Sequence, residues 1–183
     1  MLKSLFAKNP ARERAMALYA AAVEQARLPV FYTDYGVEDT VEGRFELVGV
    51  HVFLMMRALK GDRPEAQKLS QALLDVMFEN LDAALRELGV GDLAVGRKIR
   101  TLAENFLGRV QAYDAALESN APETALDEAL ARNVYEDPQA ARAEALSAYV
   151  RDAAAVDAGR IESLLAGKAV FPQPAAVAGG DSA

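Results

Sequence analysis

The sequence contains no cysteine and only one histidine, His51, among 183 residues. Without thiols there is no disulfide framework, thiolate zinc site, iron–sulfur cluster or cysteine nucleophile. A single imidazole excludes a His-rich metal cage and leaves His51 as the one residue around which a Ser-His-Asp triad would form. None of Ser4, Ser70, Ser119, Ser147, Ser163 and Ser182 has the flanking glycines of a nucleophile elbow. Long apolar runs are also missing. Outside the C-terminal tail the longest stretch free of formal charge, residues 47–56, is far short of the ~20 residues of a spanning helix, so none is expected. Arg12, Glu13 and Arg14 interrupt any secretory apolar segment, and the chain is expected to stay in the compartment where it is made. Positive charge is in deficit: 20 Lys and Arg stand against 27 Asp and Glu, a net charge of −7. With a pI near 4.8, this argues against general nucleic-acid binding. Residues 1–113 carry 15 basic and 15 acidic side chains and residues 114–183 carry 5 and 12, so the whole excess lies in the C-terminal part.

What is present is a chain long enough to bury roughly 70% of its unfolded surface without a metal or disulfide staple. Its composition, 52% apolar and dominated by Ala, Leu, Glu and Arg, favours helix throughout. The expected fold is all-α, a single-domain bundle of about six or seven helices. A first helix opens with Asn9 as N-cap and Pro10 at its first position, and places Met16, Tyr19, Ala20 and Val23 on one face. Residues 28–36 read as an extended linker whose aromatics, Phe31, Tyr32 and Tyr35, wedge between helices. Asp39-Thr40-Val41-Glu42 resembles a capping box opening the second helix, with Asp39 as the cap. Val41, Phe45, Val48, Val52, Met55 and Leu59 then form one apolar face, and further apolar residues around the circumference make its middle the centre of the core. Gly61 and Asp62 end it and cap the next.

The third helix, residues 64–88, turns Leu69, Leu73, Val76, Met77, Leu81, Ala84, Leu85 and Leu88 inward. A tight turn at Gly89-Val90-Gly91 leads to a fourth helix capped by Asp92 and running to about residue 119. Val95, Ile99, Leu102, Phe106, Val110, Tyr113 and Leu117 form its apolar face. So short a connection predicts an antiparallel hairpin. Ala-rich amphipathic helices follow at 122–134, 138–155 and 158–166. The chain therefore divides into an N-terminal segment (1–8), a helical core (9–119), acidic C-terminal helices packed on it (120–166) and a disordered tail (167–183).

Gly89-Val90-Gly91-Asp92-Leu93-Ala94 matches G-x-G-x-x-A, but a helix precedes it instead of a strand, and Asp92 would place a carboxylate where a pyrophosphate belongs. A plain helical turn is the better reading. Asp75, Glu79 and Asp82 line one helical face without the Glu-x-x-His pairs of a dinuclear metal site, and Arg86 lies where it neutralises them. His51 reads as a hydrogen-bonded core residue, with a catalytic role for it and nearby carboxylates as the rival. Arg97-Lys98-Ile99-Arg100, with Arg109, is the one basic concentration. It is either a solvated face or a docking surface for an anionic partner. Gly96 and Gly108 in the same helix, each costing ~1 kcal/mol against Ala, suggest close approach of another backbone.

Two blocks of the sequence resemble a known family. Gln25-Ala26-Arg27-Leu28-Pro29-Val30-Phe31-Tyr32, Gly36-Val37-Glu38-Asp39-Thr40-Val41-Glu42-Gly43-Arg44-Phe45-Glu46-Leu47 and His51-Val52-Phe53-Leu54 form the first. The second is Leu85-Arg86-Glu87-Leu88-Gly89-Val90-Gly91-Asp92-Leu93-Ala94-Val95-Gly96-Arg97-Lys98 with Phe106-Leu107-Gly108-Arg109-Val110-Gln111-Ala112-Tyr113. Over residues 15–117 these blocks are similar to the ubiquinol–cytochrome c chaperone family. The resemblance implies an assembly factor for the cytochrome bc complex, respiratory complex III, that is not an enzyme and uses no cofactor or metal. It implies nascent cytochrome b as client, contact with the ribosome near its exit site, and a small partner subunit. As in the shorter bacterial members, the location implied is cytoplasmic, with peripheral contact at the inner face of the membrane, and no DNA partner is expected. Joined to the helical reading, it suggests an apolar groove between the second and fourth helices. Phe31, Tyr32, Phe45 and Phe106 would form its wall, and Arg44, Arg97, Lys98, Arg100 and Arg109 its charged rim. A non-enzymatic helical adaptor for an unrelated protein or membrane-surface partner is the alternative.

Overall fold

The computed structural model describes residues 9–137, 140, 142–155 and 158–176. Among these residues the chain forms eight α-helices: α1 (Pro10–Ala26), α2 (Val30–Thr33), α3 (Val41–Ala58), α4 (Pro64–Glu87), α5 (Asp92–Ala116), α6 (Ala125–Val134), α7 (Ala143–Ala154) and α8 (Ala158–Leu165). The all-α expectation holds, with no strand among the described residues. The helix beyond the expected six or seven is α2, which replaces the extended linker. Once Pro29 fixes its φ near −55°, its carbonyl accepts from Tyr32 and Thr33 and closes a single turn.

Local capping accounts for the helix starts. Asn9 Oδ1 accepts from the amides of Ala11 and Arg12 at 3.2 and 3.4 Å, and Pro10 occupies the first turn. At α3 the cap is Thr40, whose Oγ1 accepts from Gly43 N at 3.1 Å. Asp39, the expected cap, pairs with Arg44 instead (2.6 Å). Asp62 does not cap α4, which begins after Arg63 with no side-chain cap. Asp92 is the first residue of α5, and Gly91 holds the cap position. Helices α6 and α7 start several residues later than expected. Pro122 contributes a carbonyl to the turn before α6, and Pro138 lies outside the described residues.

Helix α3 is the axis of the molecule. Residues 49–55 are buried around its whole circumference, as its sequence demanded, although Val41 at its start is exposed. One core region joins α3 to α2, α6 and α7 through Phe31, Leu47, Val50, Leu54, Leu130 and Tyr149. The other joins it to α1, α4 and α8 through Leu18, Met55, Leu69, Leu73, Met77 and Leu164. The face of α1 differs from expectation. Ala15, Leu18, Ala22 and Ala26 are buried while Met16 is 55% exposed, because three alanines let α1 approach its neighbours closely.

Beyond α8 the expected tail divides. Residues 168–176 run irregularly along the body, where the Phe171 ring meets His51 (centroids 4.9 Å) and the Pro172 carbonyl accepts from Gln25 Nε2 at 3.1 Å. Residues 177–183 and the N-terminal segment 1–8 lie outside the described residues.

Candidate functional site

The hairpin α4–α5 departs furthest from the packing its sequence suggests. At 1.5 Å per residue, α4 is ~36 Å long and α3 only ~27 Å, so the hairpin outruns the axis it packs on. Between Phe78 and Asn105 only Val95 is buried. Leu81, Leu85, Ile99 and Leu102 are half-buried, whereas Leu88 and Leu93 are 69% and 91% exposed. Of the inward set expected for α4, only Leu69, Leu73, Val76 and Met77 reach the core. The arm is braced by ion pairs at the turn, where Arg86 holds both Asp82 (2.5 Å) and Asp92. The G-x-G-x-x-A sequence is thus a helical turn with its carboxylate tied to an arginine. The remaining acids of the α4 face are also engaged: Glu79 takes both terminal nitrogens of Arg12 (2.7 and 2.6 Å) and Asp75 accepts from Gln71 (2.8 Å).

Among the described residues, hollows border this hairpin, and two of them take in both α4 and α5. The first, about 400 Å³, opens between α3, α4 and α5 over Phe53, Met56, Leu74 and Val110, and Asp114 on its rim binds Arg57 and Lys60. It occupies the position expected for a groove between the second and fourth long helices, with other residues as its wall. The second, about 600 Å³, lies near the tip over Leu85, Ala94 and Leu102, bordered by Arg97, Lys98 and Glu42.

The residues singled out from the sequence do not come together in one place. Phe31 and Phe106 are core side chains, 0% and 2% exposed and in different core regions, so neither walls a groove. Phe31 packs edge-on against Tyr35, His51 and Tyr149, and Phe106 against Phe78. Tyr32 and Arg44 do come together in a shallow hollow with Arg27, Pro29, Thr33 and Asp39, but the Tyr32 hydroxyl donates to the Ala26 carbonyl (2.7 Å) and Arg44 is held by Asp39. Phe45 is half-buried. Arg97, Lys98 and Arg100 are exposed, and no hydrogen bond or ion pair engages them among the described residues. Arg109 does not belong with that rim. It turns inward to pair with Glu46 at 2.8 Å, and its Nε and Nη1 are buried without hydrogen-bond partners. Burial pushes the Glu46 carboxyl up to about 7; Arg109 opposes the shift and Glu136 reinforces it.

His51 is fully buried. Its Nδ1–H donates to the Leu47 carbonyl (2.7 Å), which fixes Nε2 as the acceptor for the Tyr149 hydroxyl (2.9 Å), and that hydroxyl accepts from Gln25 Nε2 (3.1 Å). Burial drives its pKa down to about 4 against the bond to Leu47. With both nitrogens committed and no exposed surface, His51 is a satisfied core residue, in line with the structural reading of the sequence.

Sequence reasoning missed the lining of the first hollow, the hollow near the tip and the exposure of Leu88 and Leu93. The available signal was length, since the 24 residues of α4 overhang the 18 of α3. Gly96 and Gly108 belong to the same picture: among the described residues a Cβ at either would meet no atom of another element within 4 Å, so none of their backbone approaches these glycines.

Among the described residues the body is all-helical and carries a projecting, partly apolar hairpin with Arg97, Lys98 and Arg100 exposed on it. Residues 33–171 match the family model described as ubiquinol–cytochrome C chaperone, and the chain belongs to that family. It is 23% identical over 141 residues to ubiquinol-cytochrome-c reductase complex assembly factor 1 of Xenopus laevis, covering 75% of this chain and 68% of the frog protein. The corresponding mouse assembly factor gives the same identity over 46% of its length. The crystal structure of the Cbp3 homolog from Brucella abortus superposes with a TM-score of 0.77 at 34% identity, over 90% of this chain and 91% of that one.

Proposed function

We propose that this protein is a non-enzymatic assembly chaperone of the ubiquinol–cytochrome c reductase complex, and that its client is newly made cytochrome b. The family match over residues 33–171 carries this reading, and the frog and mouse relatives bear the name of that complex's assembly factor. The hairpin supplies a physical means. Apolar client side chains enter the hollow over Phe53, Met56, Leu74 and Val110, which shields them from water without requiring chemistry. Contact with the ribosome near its exit, a small partner subunit and a peripheral position at the inner face of the cytoplasmic membrane complete the proposal. No helix among the described residues is long and apolar enough to cross a membrane.

Deletion of the gene in its own host tests the proposal. Cytochrome b haem absorbance of the membranes should fall while other cytochromes are retained, and Leu74→Glu should fail to restore it although the variant folds. An unchanged spectrum overturns the assignment and favours an adaptor for an unrelated partner.

A further inference from the structure

The hollow near the hairpin tip is chemically unlike the first. Its floor is Leu85 from α4 with Ala94 and Leu102 from α5. At 100° per residue Ala94 and Thr101 fall on one line of α5, with Arg97 and Lys98 to either side. Both cations are exposed and without hydrogen bond or ion pair among the described residues, although Arg86, Arg63, Arg44 and Arg12 each hold a carboxylate. Glu42 borders the hollow from the α3 side. From Ala94 to Leu102 the floor extends ~12 Å, just over two helical turns, and about 600 Å³ is room for several aliphatic side chains.

We propose that this hollow is a docking groove for an amphipathic helix of a partner protein, one with a leucine-type apolar stripe flanked by Asp or Glu that pair with Arg97 and Lys98. Charge complementarity selects that occupant. An apolar stripe alone would leave two unpaired cations at the rim, and a basic helix would be repelled by them. A concave floor suits a helix better than a bilayer. Glu87 and Asp92, exposed at the tip beside Leu88 and Leu93, oppose an anionic lipid surface. The second hollow is distinct from the one assigned to the client, so either assignment can fail without the other.

Two synthetic amphipathic helices with one leucine stripe, flanked in one by Glu and in the other by Lys, provide the probe, and fluorescence anisotropy against the full chain the readout. The Glu peptide should bind at least tenfold more tightly than the Lys peptide, and more weakly as salt rises. In Arg97→Glu/Lys98→Glu, whose exposed positions spare the fold, the preference should reverse. Ala94→Trp should abolish both interactions with helical content and melting temperature retained. Equal binding of the two peptides, a preference unmoved by the charge reversal, or binding of neither overturns the proposal. So does charge-dependent binding to anionic vesicles in place of the Glu peptide, or self-association of the chain through this face.

Discussion

Two ionisable residues on α3, His51 fully buried and Glu46 partly buried, have opposite consequences for stability. His51 is held neutral, with a folded pKa of about 4 against 6.5; the stability this gives is present above 6.5 and is lost as pH falls through about 4. Glu46 is held toward its protonated form, about 7 against 4.5; its contribution is full below 4.5 and is lost as pH rises through about 7. Each shift corresponds to on the order of 3 kcal/mol, and between pH 4.5 and 6.5 the two slopes offset each other. Glu46→Gln removes one of them. Urea unfolding from pH 4 to 8 should show this variant losing stability on acidification more steeply than the parent, and parallel profiles would mean that Glu46 titrates normally. Tyr149→Phe leaves His51 Nε2 buried without a donor and should cost roughly 1–3 kcal/mol, read as a lower urea midpoint at pH 7. That His51 belonged to the core was legible from the apolar run around it. Its hydroxyl partner was not, because the contact spans 98 residues of sequence.

Within the elements, glycine positions divide into those the fold requires and those it does not. At Gly43 a Cβ would stand 2.1 Å from the Glu38 carbonyl oxygen. Gly43→Ala should therefore distort the first turn of α3 and cost roughly 1–3 kcal/mol. Gly96 and Gly108 lie inside α5 facing open space. Replacing both by Ala should stabilise the isolated protein by about 1–2 kcal/mol, visible as a melting temperature several degrees higher. No increase would show that α5 is strained there for another reason. Helix boundaries were readable to within a few residues because Asn9, Pro10, Pro64 and the Gly89–Gly91 turn act locally. Which apolar positions face inward was less so. Periodicity marks a stripe on α4 from Leu69 to Leu88, but only neighbouring helices decide how much of it is covered, and full burial ends at Met77.

On the scale of the whole molecule, the two core regions meet at residues that contact both, Val48, Val110 and Phe171. Phe171 comes from the segment after α8, yet it closes the ring of aromatics around His51 together with Phe31 and Tyr149. Phe171→Ala should cost roughly 2 kcal/mol, short of the ~3–5 of a fully buried phenylalanine. By admitting water to the imidazole, it should also bring the His51 pKa back toward 6.5. An NMR titration of the single imidazole reads this directly, and a pKa still near 4 would show that Phe31 and Tyr149 alone keep the site dry.

The sequence by itself determined the helical class, the starts of the long helices, α3 as the axis and the two blocks that resemble the family, because caps, prolines and periodic apolar residues act over one or two turns. Tertiary structure alone decided that Phe31 and Phe106 are core side chains that wall no groove, that Arg109 turns inward to Glu46 while Arg97, Lys98 and Arg100 stay exposed, and that the hairpin overhangs the body. Those outcomes depend on which surfaces of distant helices meet. A residue's type and spacing state what it can do in water or in a core, and only its neighbours in space choose between the two.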